Sequence, residues 1–289
     1  MKRKEFVVKS TAGLVGLSMT GCAAPAVVKK TYRGRTIEYR TLGKTGLKVT
    51  AVGFGASRTD VPSLVKHVID VGVNILDTGR MYAEGKNEEM IGRVIKDVRR
   101  DIIIQTKFFR KLLDDPVEIE QSINESLKAL QTDYIDVLIK QSATTKEELL
   151  APAVLEAITK AKEAGKIRFS GFSTHENQAE MLRDAVKSGF YDVALIAYNH
   201  AGNFTPSYGG EYHEWNQAEL EKEIENAGSA GMGIVAMKTC SGGPYKEEGQ
   251  SEASYPQALR QILKNKHISA IVPAMGNYRE VDEDIKAMG

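Results

Sequence analysis

Apolar residues along this chain follow two alternating rhythms. Short runs rich in Val, Ile, Leu and Phe lie near 49–55, 73–76, 102–106, 134–139, 167–172, 193–197, 234–236 and 270–272. Between them apolar positions recur at helical spacing, as in Leu64/Val65/Val68/Ile69, Met90/Ile91/Val94/Ile95, Ile123/Leu127/Leu130 and Met181/Leu182/Ala185/Val186. Each stripe can cover one side of a parallel sheet. Strand and helix in alternation predict an α/β fold. Eight repeats favour a closed (β/α)8 TIM barrel over an open, doubly wound sheet.

The rhythm breaks at 198–215, where Asn199, His200, Asn203, Tyr208, Tyr212, His213 and Trp215 crowd together after the sixth strand. That mixture suits a substrate lid, because rings can cover a sugar while amides read its hydroxyls; a plain polar connection fits equally. His200 and His213 have no Cys or carboxylate at ligand spacing, so no metal site is expected.

A chain of 289 residues, 42% of them hydrophobic, suits one barrel, which takes about 250 residues. The formal net charge of +1 conceals an asymmetry: Lys2, Arg3, Lys4 and Lys9 face only Glu5 in the first 21 residues. No basic surface for nucleic acid follows. The cationic start, the apolar run 12–19 and the small residues after it read as an export signal over 1–21, too short to span a bilayer as a mature helix. Arg3-Lys4 resembles a twin-arginine signal, and Thr20-Gly21-Cys22 resembles a lipoprotein box with Cys22 as the lipidated residue. These imply transport in the folded state to the cell envelope or periplasm, with membrane contact only through a lipid anchor or the signal itself. Residues 22–36 are expected to be a tether and 37–289 the barrel. Cys22 and Cys240 are the only cysteines, so no disulfide framework is expected; Cys240 reads as a small buried or cofactor-facing thiol.

Candidate chemistry gathers where strands end. Asp77 and Tyr82 follow the second run, Lys107 the third and Gln141 the fourth. In a parallel barrel, side chains at those ends converge on one pocket. A Lys cation lowers the pKa of a neighbouring Tyr and a carboxylate holds that Lys charged, an arrangement for proton transfer.

The words around these residues resemble the aldo/keto reductase family. Residues 39–55 resemble its amino-terminal hairpin entering the first strand. Residues 74–82, with Gly85 and Asn87-Glu88, resemble its first active-site segment, and 165–173 its fifth strand. The resemblance implies that Tyr82 exchanges the proton, Lys107 tunes it and Asp77 orients Lys107. Gln141 stands where the family usually has His. An amide can still donate a hydrogen bond to the substrate oxygen but cannot titrate.

No Gly-x-Gly-x-x-Gly follows the first strand, so a Rossmann cradle is excluded. The resemblance implies instead a dinucleotide, NADP(H) or NAD(H), extended across the strand ends. Ser173 and Thr174 match the nicotinamide-amide pair, and Met237 the platform under the ring, where an aromatic is commoner. Lys238, Thr239, Ser241, Gly242 and Gly243 match the pyrophosphate segment, in which free amides and a Gly pair allow close approach. Leu195 stands where many members place Gln. At the adenosine end, Gly276, Asn277 and Arg279 lie in the matching stretch, but Ala274, Met275 and Glu280 replace the residues that read a 2′-phosphate. Residues 281–289 complete the eighth helix without a long closing loop, which implies an open pocket.

These features together predict an exported barrel oxidoreductase moving hydride between a nicotinamide dinucleotide and a carbonyl or sugar-like substrate. An electron-transfer partner of unspecified identity is an added expectation, because the envelope has no free dinucleotide pool. Two rival expectations are a reductase of conjugated double bonds and a degenerate, ligand-binding envelope lipoprotein.

Overall fold

The computed structural model describes residues 27–108, 115–205 and 211–289. The expected export signal and Cys22 lie outside these residues, as do Tyr208, Gly209 and Gly210.

An antiparallel hairpin comes first: β1 (Val28–Tyr32), β2 (Arg35–Thr41) and β3 (Lys48–Thr50). Strand β1 falls inside the stretch 22–36 expected to be a tether, so that boundary is corrected to about the start of β1. All five β1 residues are exposed, which explains why its sequence carries no burial signal. Leu42, Leu47 and Val49 join the cluster of side chains inside the barrel, and Lys44 N donates to Gly231 O at 2.7 Å. The hairpin thereby plugs one end of the barrel.

Eight parallel strands follow in sheet order: β4 (Phe54–Gly55), β5 (Ile75–Asp77), β6 (Ile103–Phe108), β7 (Ile135–Lys140), β8 (Ile167–Thr174), β9 (Val193–Ala197), β12 (Gly233–Met237) and β13 (Ile268–Ile271). Two short strands, β10 (Asn203–Phe204) and β11 (His213–Glu214), form a separate hairpin between β9 and β12. The run 49–55 is thus two strands, one in the amino-terminal hairpin and one in the barrel. Parallel bridges Val52 to Ile271 and Gly55 to Ala274 close the ring. A Cβ on Gly55 would sit 2.9 Å from the Pro273 carbonyl oxygen, so the seam requires a glycine there.

The helices are α1 (Pro62–Asp70), α2 (Lys86–Ile95), α3 (Pro116–Leu130), α4 (Lys146–Leu149), α5 (Pro152–Glu163), α6 (Gln178–Ser188), α7 (Gln217–Ser229), α8 (Tyr255–Leu263) and α9 (Tyr278–Asp284). Local chemistry sets several of their ends. Asp115 caps α3 by accepting from Val117 N, with Pro116 in the first turn, and Asn216, Ser254 and Asn277 cap α7, α8 and α9.

Strand alternation divides the core into two layers. Ile75, Ile103, Val137, Ile139, Val193, Leu195 and Val235 fill the barrel, whereas Leu76, Ile104, Leu138, Phe172, Ile196 and Ile234 pack under the helices. Each such fully buried side chain contributes about 1.5–3 kcal/mol of transfer free energy. The same alternation fixes which polar residues face the interior.

Candidate active site

Asp77 lies two residues beyond Ile75 and Lys107 four beyond Ile103, so both continue the inward register. They meet there: Lys107 Nζ donates to Asp77 Oδ1 and Oδ2 at 2.7 Å each and to the Thr78 carbonyl oxygen at 2.6 Å. Lys107 is 3% exposed and Asp77 5%. Burial is the strongest single influence on Lys107 and acts to lower its pKa. The charges of Asp77 and Tyr82 and hydrogen bonds to both outweigh it, leaving the ammonium above its ordinary value.

Tyr82 follows at the start of a tight turn, and Lys107 Nζ sits 4.9 Å from its ring centroid. Burial dominates this phenol and raises its pKa; the Asp77 charge adds to that, while the Lys107 charge and hydrogen bond oppose it. The net direction is up. Lys107 thus acts on Tyr82 with the expected sign, but burial reverses the outcome, and Tyr82 stays protonated as a donor.

The turn that aims Tyr82 is backbone-strained and braced from below. Ala83, Glu84 and Gly85 are all left-handed, with φ of 48°, 55° and 87°. A Cβ on Gly85 would lie 2.3 Å from the Arg80 guanidinium. Arg80 in turn donates to Glu88 Oε2 at 2.7 Å, and Thr106 Oγ1 donates to Glu88 Oε1 at 2.6 Å. Glu88 is fully buried. The turn, α2 and β6 are therefore locked by one charged pair. Sequence reasoning missed Arg80 and Thr106, which carry no motif of their own.

It also missed Gln105, whose Nε2 donates to Asp77 Oδ1 at 2.7 Å while its Oε1 is buried without a partner. An inward-facing amide within Ile-Ile-Ile-Gln-Thr-Lys was the available signal.

Gln141 follows β7 in the inward register of Val137 and Ile139, and its Oε1 is buried and unpartnered. Ser173 is tied to the same segment, accepting from Ser142 N at 2.9 Å through Oγ, and continues the inward register of β8. Thr174 does not. Its hydroxyl bonds with the backbone of Glu176, donating to the carbonyl oxygen and accepting from N, so the expected pair contributes one inward hydroxyl.

Met237 packs against the barrel interior at the end of β12. Lys238 has φ 59°, and its Nζ lies 5.3 Å from the Phe204 ring centroid, partial burial lowering its pKa. Thr239 is buried, and its Oγ1 has no partner. The amides of Ser241 and Gly243 are used within the loop, donating to Lys238 O and Cys240 O, so the expectation of freely available amides is corrected at those two positions. Gly242 packs on Asn199, 2.8 Å from where its Cβ would be. Asn199 Nδ2 donates to both Asn203 O and Lys238 O, joining this loop to the β10–β11 hairpin.

Rings gather on that hairpin. Phe204 stacks on His213 at 4.7 Å between ring centroids, with His175 at 5.7 Å. His200 packs instead against Tyr245. Cys240 is partly buried, and burial, reinforced by the charge of Asp284, pushes its thiol up to about 12.

On the side expected to meet adenosine, Gly276 N donates to Glu280 Oε2 at 2.6 Å, and Asn277 caps α9 through Glu280 N. The Arg279 side chain is 83% exposed and donates to Glu283 at 2.7 Å. Arg58 Nη1 stands 3.9 Å from Glu280 Oε2.

A barrel with a buried carboxylate and ammonium beside a half-buried phenol at its strand ends falls in the class of barrel oxidoreductases. The sequence matches the Aldo/keto reductase family over residues 49–288. The chain belongs to that family, whose members move hydride between nicotinamide dinucleotides and their substrates. L-galactose dehydrogenase of Arabidopsis thaliana is 28% identical, the match covering 87% of this chain and 88% of that protein. The uncharacterized oxidoreductase YqkF of Bacillus subtilis is 32% identical over 85% of this chain and 77% of its own. The holo form of aldo-keto reductase AKR11C1 from Bacillus halodurans has the same fold, with a TM-score of 0.70 and 21% identity over 86% of this chain and 90% of that one.

Proposed function

We propose that this protein interconverts a carbonyl and an alcohol on a small, sugar-like substrate, with Tyr82 exchanging the proton at the substrate oxygen. The observation that carries this reading is the buried Asp77–Lys107 pair beneath a protonated Tyr82. A dihydronicotinamide held beside Ser173 and Met237 would supply the hydride. Tyr82 gives its proton to the oxygen, the Lys107 ammonium stabilises the phenolate left behind, and Asp77 keeps Lys107 charged and aimed. Gln141 offers an NH2 donor to the same oxygen and an acceptor to a neighbouring hydroxyl, which suits a polyhydroxylated substrate. The name of the Arabidopsis relative, a dehydrogenase of a sugar, supports the same class.

The residues present fit a dinucleotide. Ser173 Oγ, which accepts from Ser142 N, keeps its own proton to donate, Thr239 Oγ1 is buried without a partner, and Met237 gives the ring an apolar platform. Glu280 already occupies the Gly276 amide, and a carboxylate there repels a dianionic phosphate. With Arg279 engaged elsewhere, the reading favours NAD(H) over NADP(H). Export to the envelope and lipidation of Cys22 complete the proposal and rest on the sequence alone. An electron-transfer partner that recycles the cofactor there belongs to the same expectation.

A second reading, reduction of a conjugated double bond, rests on Gln141, since a non-titrating amide polarises a carbonyl less than His. The deciding experiment follows nicotinamide absorbance with an aldose, a simple aldehyde and a conjugated enone. Activity with the aldose or aldehyde that rises in Gln141→His supports carbonyl chemistry. Enone reduction that Gln141→His abolishes supports the second reading. Purified protein that neither turns over nor gains thermal stability with NADH or NADPH refutes both and leaves a binding module.

A further inference from the structure

Between α7 and α8, outside the barrel wall, lies a cleft of about 460 Å³ lined in part by Tyr198, His200, Gln217, Glu221, Tyr245 and Gln261. Tyr198 follows β9 in the outward register of Ala194 and Ile196, so this cleft is separated from the interior that holds Leu195 and Met237. Two polar atoms of its lining residues, His200 Nδ1 and Gln261 Oε1, are buried and have no hydrogen-bond partner. A ligand that turns those side chains toward the cleft and pairs them relieves buried polar groups that are otherwise unsatisfied.

The lining defines the chemistry of that ligand. Gln261 Oε1 can only accept. Burial lowers the His200 pKa, so the neutral ring presents one donor and one acceptor nitrogen. Tyr198 OH and Gln217 Nε2 both donate to Glu221 Oε1, at 2.9 Å each. Groups that both donate and accept satisfy such a surface, and hydroxyls do this. The Tyr245 ring, edge-on to His200 at 5.1 Å, adds an apolar face for C–H groups. Anions are disfavoured by Glu221, and the nearby cation Lys264 is already 3.0 Å from Glu247. The volume lies in the range of small-molecule pockets.

We propose that this cleft is a second binding site, distinct from the strand-end pocket, for a neutral polyhydroxylated molecule of monosaccharide or cyclic-polyol size. Its occupancy reaches the hairpin over the barrel. Gln217 Oε1 accepts from Trp215 Nε1 at 2.8 Å, Trp215 N donates to Gly202 O at 3.1 Å, and Asn199 ties that segment to Lys238.

Trp215 is the single tryptophan of the chain and, bonded to the lining residue Gln217, reports on the cleft at one remove. The test titrates the full-length protein with myo-inositol and with D-galactose while following Trp215 fluorescence and thermal stability. We expect a saturable change with a dissociation constant of about 1–10 mM for at least one probe, that is, weak but specific binding. It should persist in Tyr82→Phe and weaken tenfold or more in Gln261→Leu and in His200→Phe. If Gln261→Leu does not fold, His200→Phe carries the same test. Absence of saturable change with both probes overturns the proposal. So does a change unaltered by the cleft substitutions, or one lost in Tyr82→Phe, which would place the sugar inside the barrel.

Discussion

Lys107 spends two hydrogen bonds on Asp77 and one on the backbone oxygen of Thr78, all within 2.7 Å. Asp77 and the Thr78 carbonyl oxygen together hold the ammonium, so its charge sits at a fixed place beside Tyr82. The carboxylate is itself held by Gln105. Such placement is preorganisation for the proposed proton transfer, in which the cation would not need to reorient as negative charge developed on the phenol.

Tyr82→Phe keeps the ring and removes the transferable proton. Turnover should fall about 10²-fold or more, while cofactor affinity and melting temperature change little. Steady-state kinetics beside a binding titration check this. Unchanged activity would remove Tyr82 from the catalytic assignment.

Arg80 and Glu88 form a charged pair, Arg80 largely buried and Glu88 wholly so, that braces the Tyr82 turn. Arg80→Met leaves the Glu88 carboxylate without its cation and should cost about 3–5 kcal/mol of stability. Adding Glu88→Gln removes the stranded charge, so the double variant should recover much of that loss. Chemical denaturation of the three variants gives the coupling directly; additive losses would mean the pair does not act as a unit.

Asp284 is 6% exposed at the end of α9, and burial, aided by Glu280 and Glu283, raises its pKa from 3.8 to about 7. A carboxyl whose folded pKa is raised binds its proton more tightly in the native state. Its penalty is therefore absent below the unfolded value, grows as pH rises from 3.8 to about 7, and is constant above. Asp284→Asn should stabilise the protein by on the order of 1–4 kcal/mol at about pH 8 and by almost nothing at about pH 3.5. Melting curves across that range test it, and a gain independent of pH would point to packing instead.

Cys22 is the expected lipidation site. Labelled fatty acid should enter the wild-type protein in its host and be lost in Cys22→Ser, with the chain shifting from the membrane to the soluble envelope fraction. Recovery of unprocessed, unlabelled protein in the cytoplasm would overturn the export reading.

The barrel and the placing of Asp77, Tyr82, Lys107 and Gln141 were legible in the sequence, because period-two alternation and strand ends are local properties that hydrophobic pattern reports. The order Ile75-Leu76-Asp77 already states which face Asp77 takes. The exposed strand β1 escaped notice because pairing through backbone groups leaves no apolar signature when neither face is buried. Other features depend on which partner each polar side chain meets, which the apolar pattern does not report. Gln105 reaches Asp77 across neighbouring strands, Arg80 meets Glu88 beneath the turn, and Thr174 turns its hydroxyl to Glu176 rather than inward. The net pKa of Tyr82 was decided the same way: sequence put a cation beside the phenol, but only packing shows how much water is removed from it. Sequence determined which residue types stand at the strand ends, since backbone periodicity is local; tertiary structure decided their partners and protonation, since hydrogen bonding and desolvation depend on what the rest of the chain brings near.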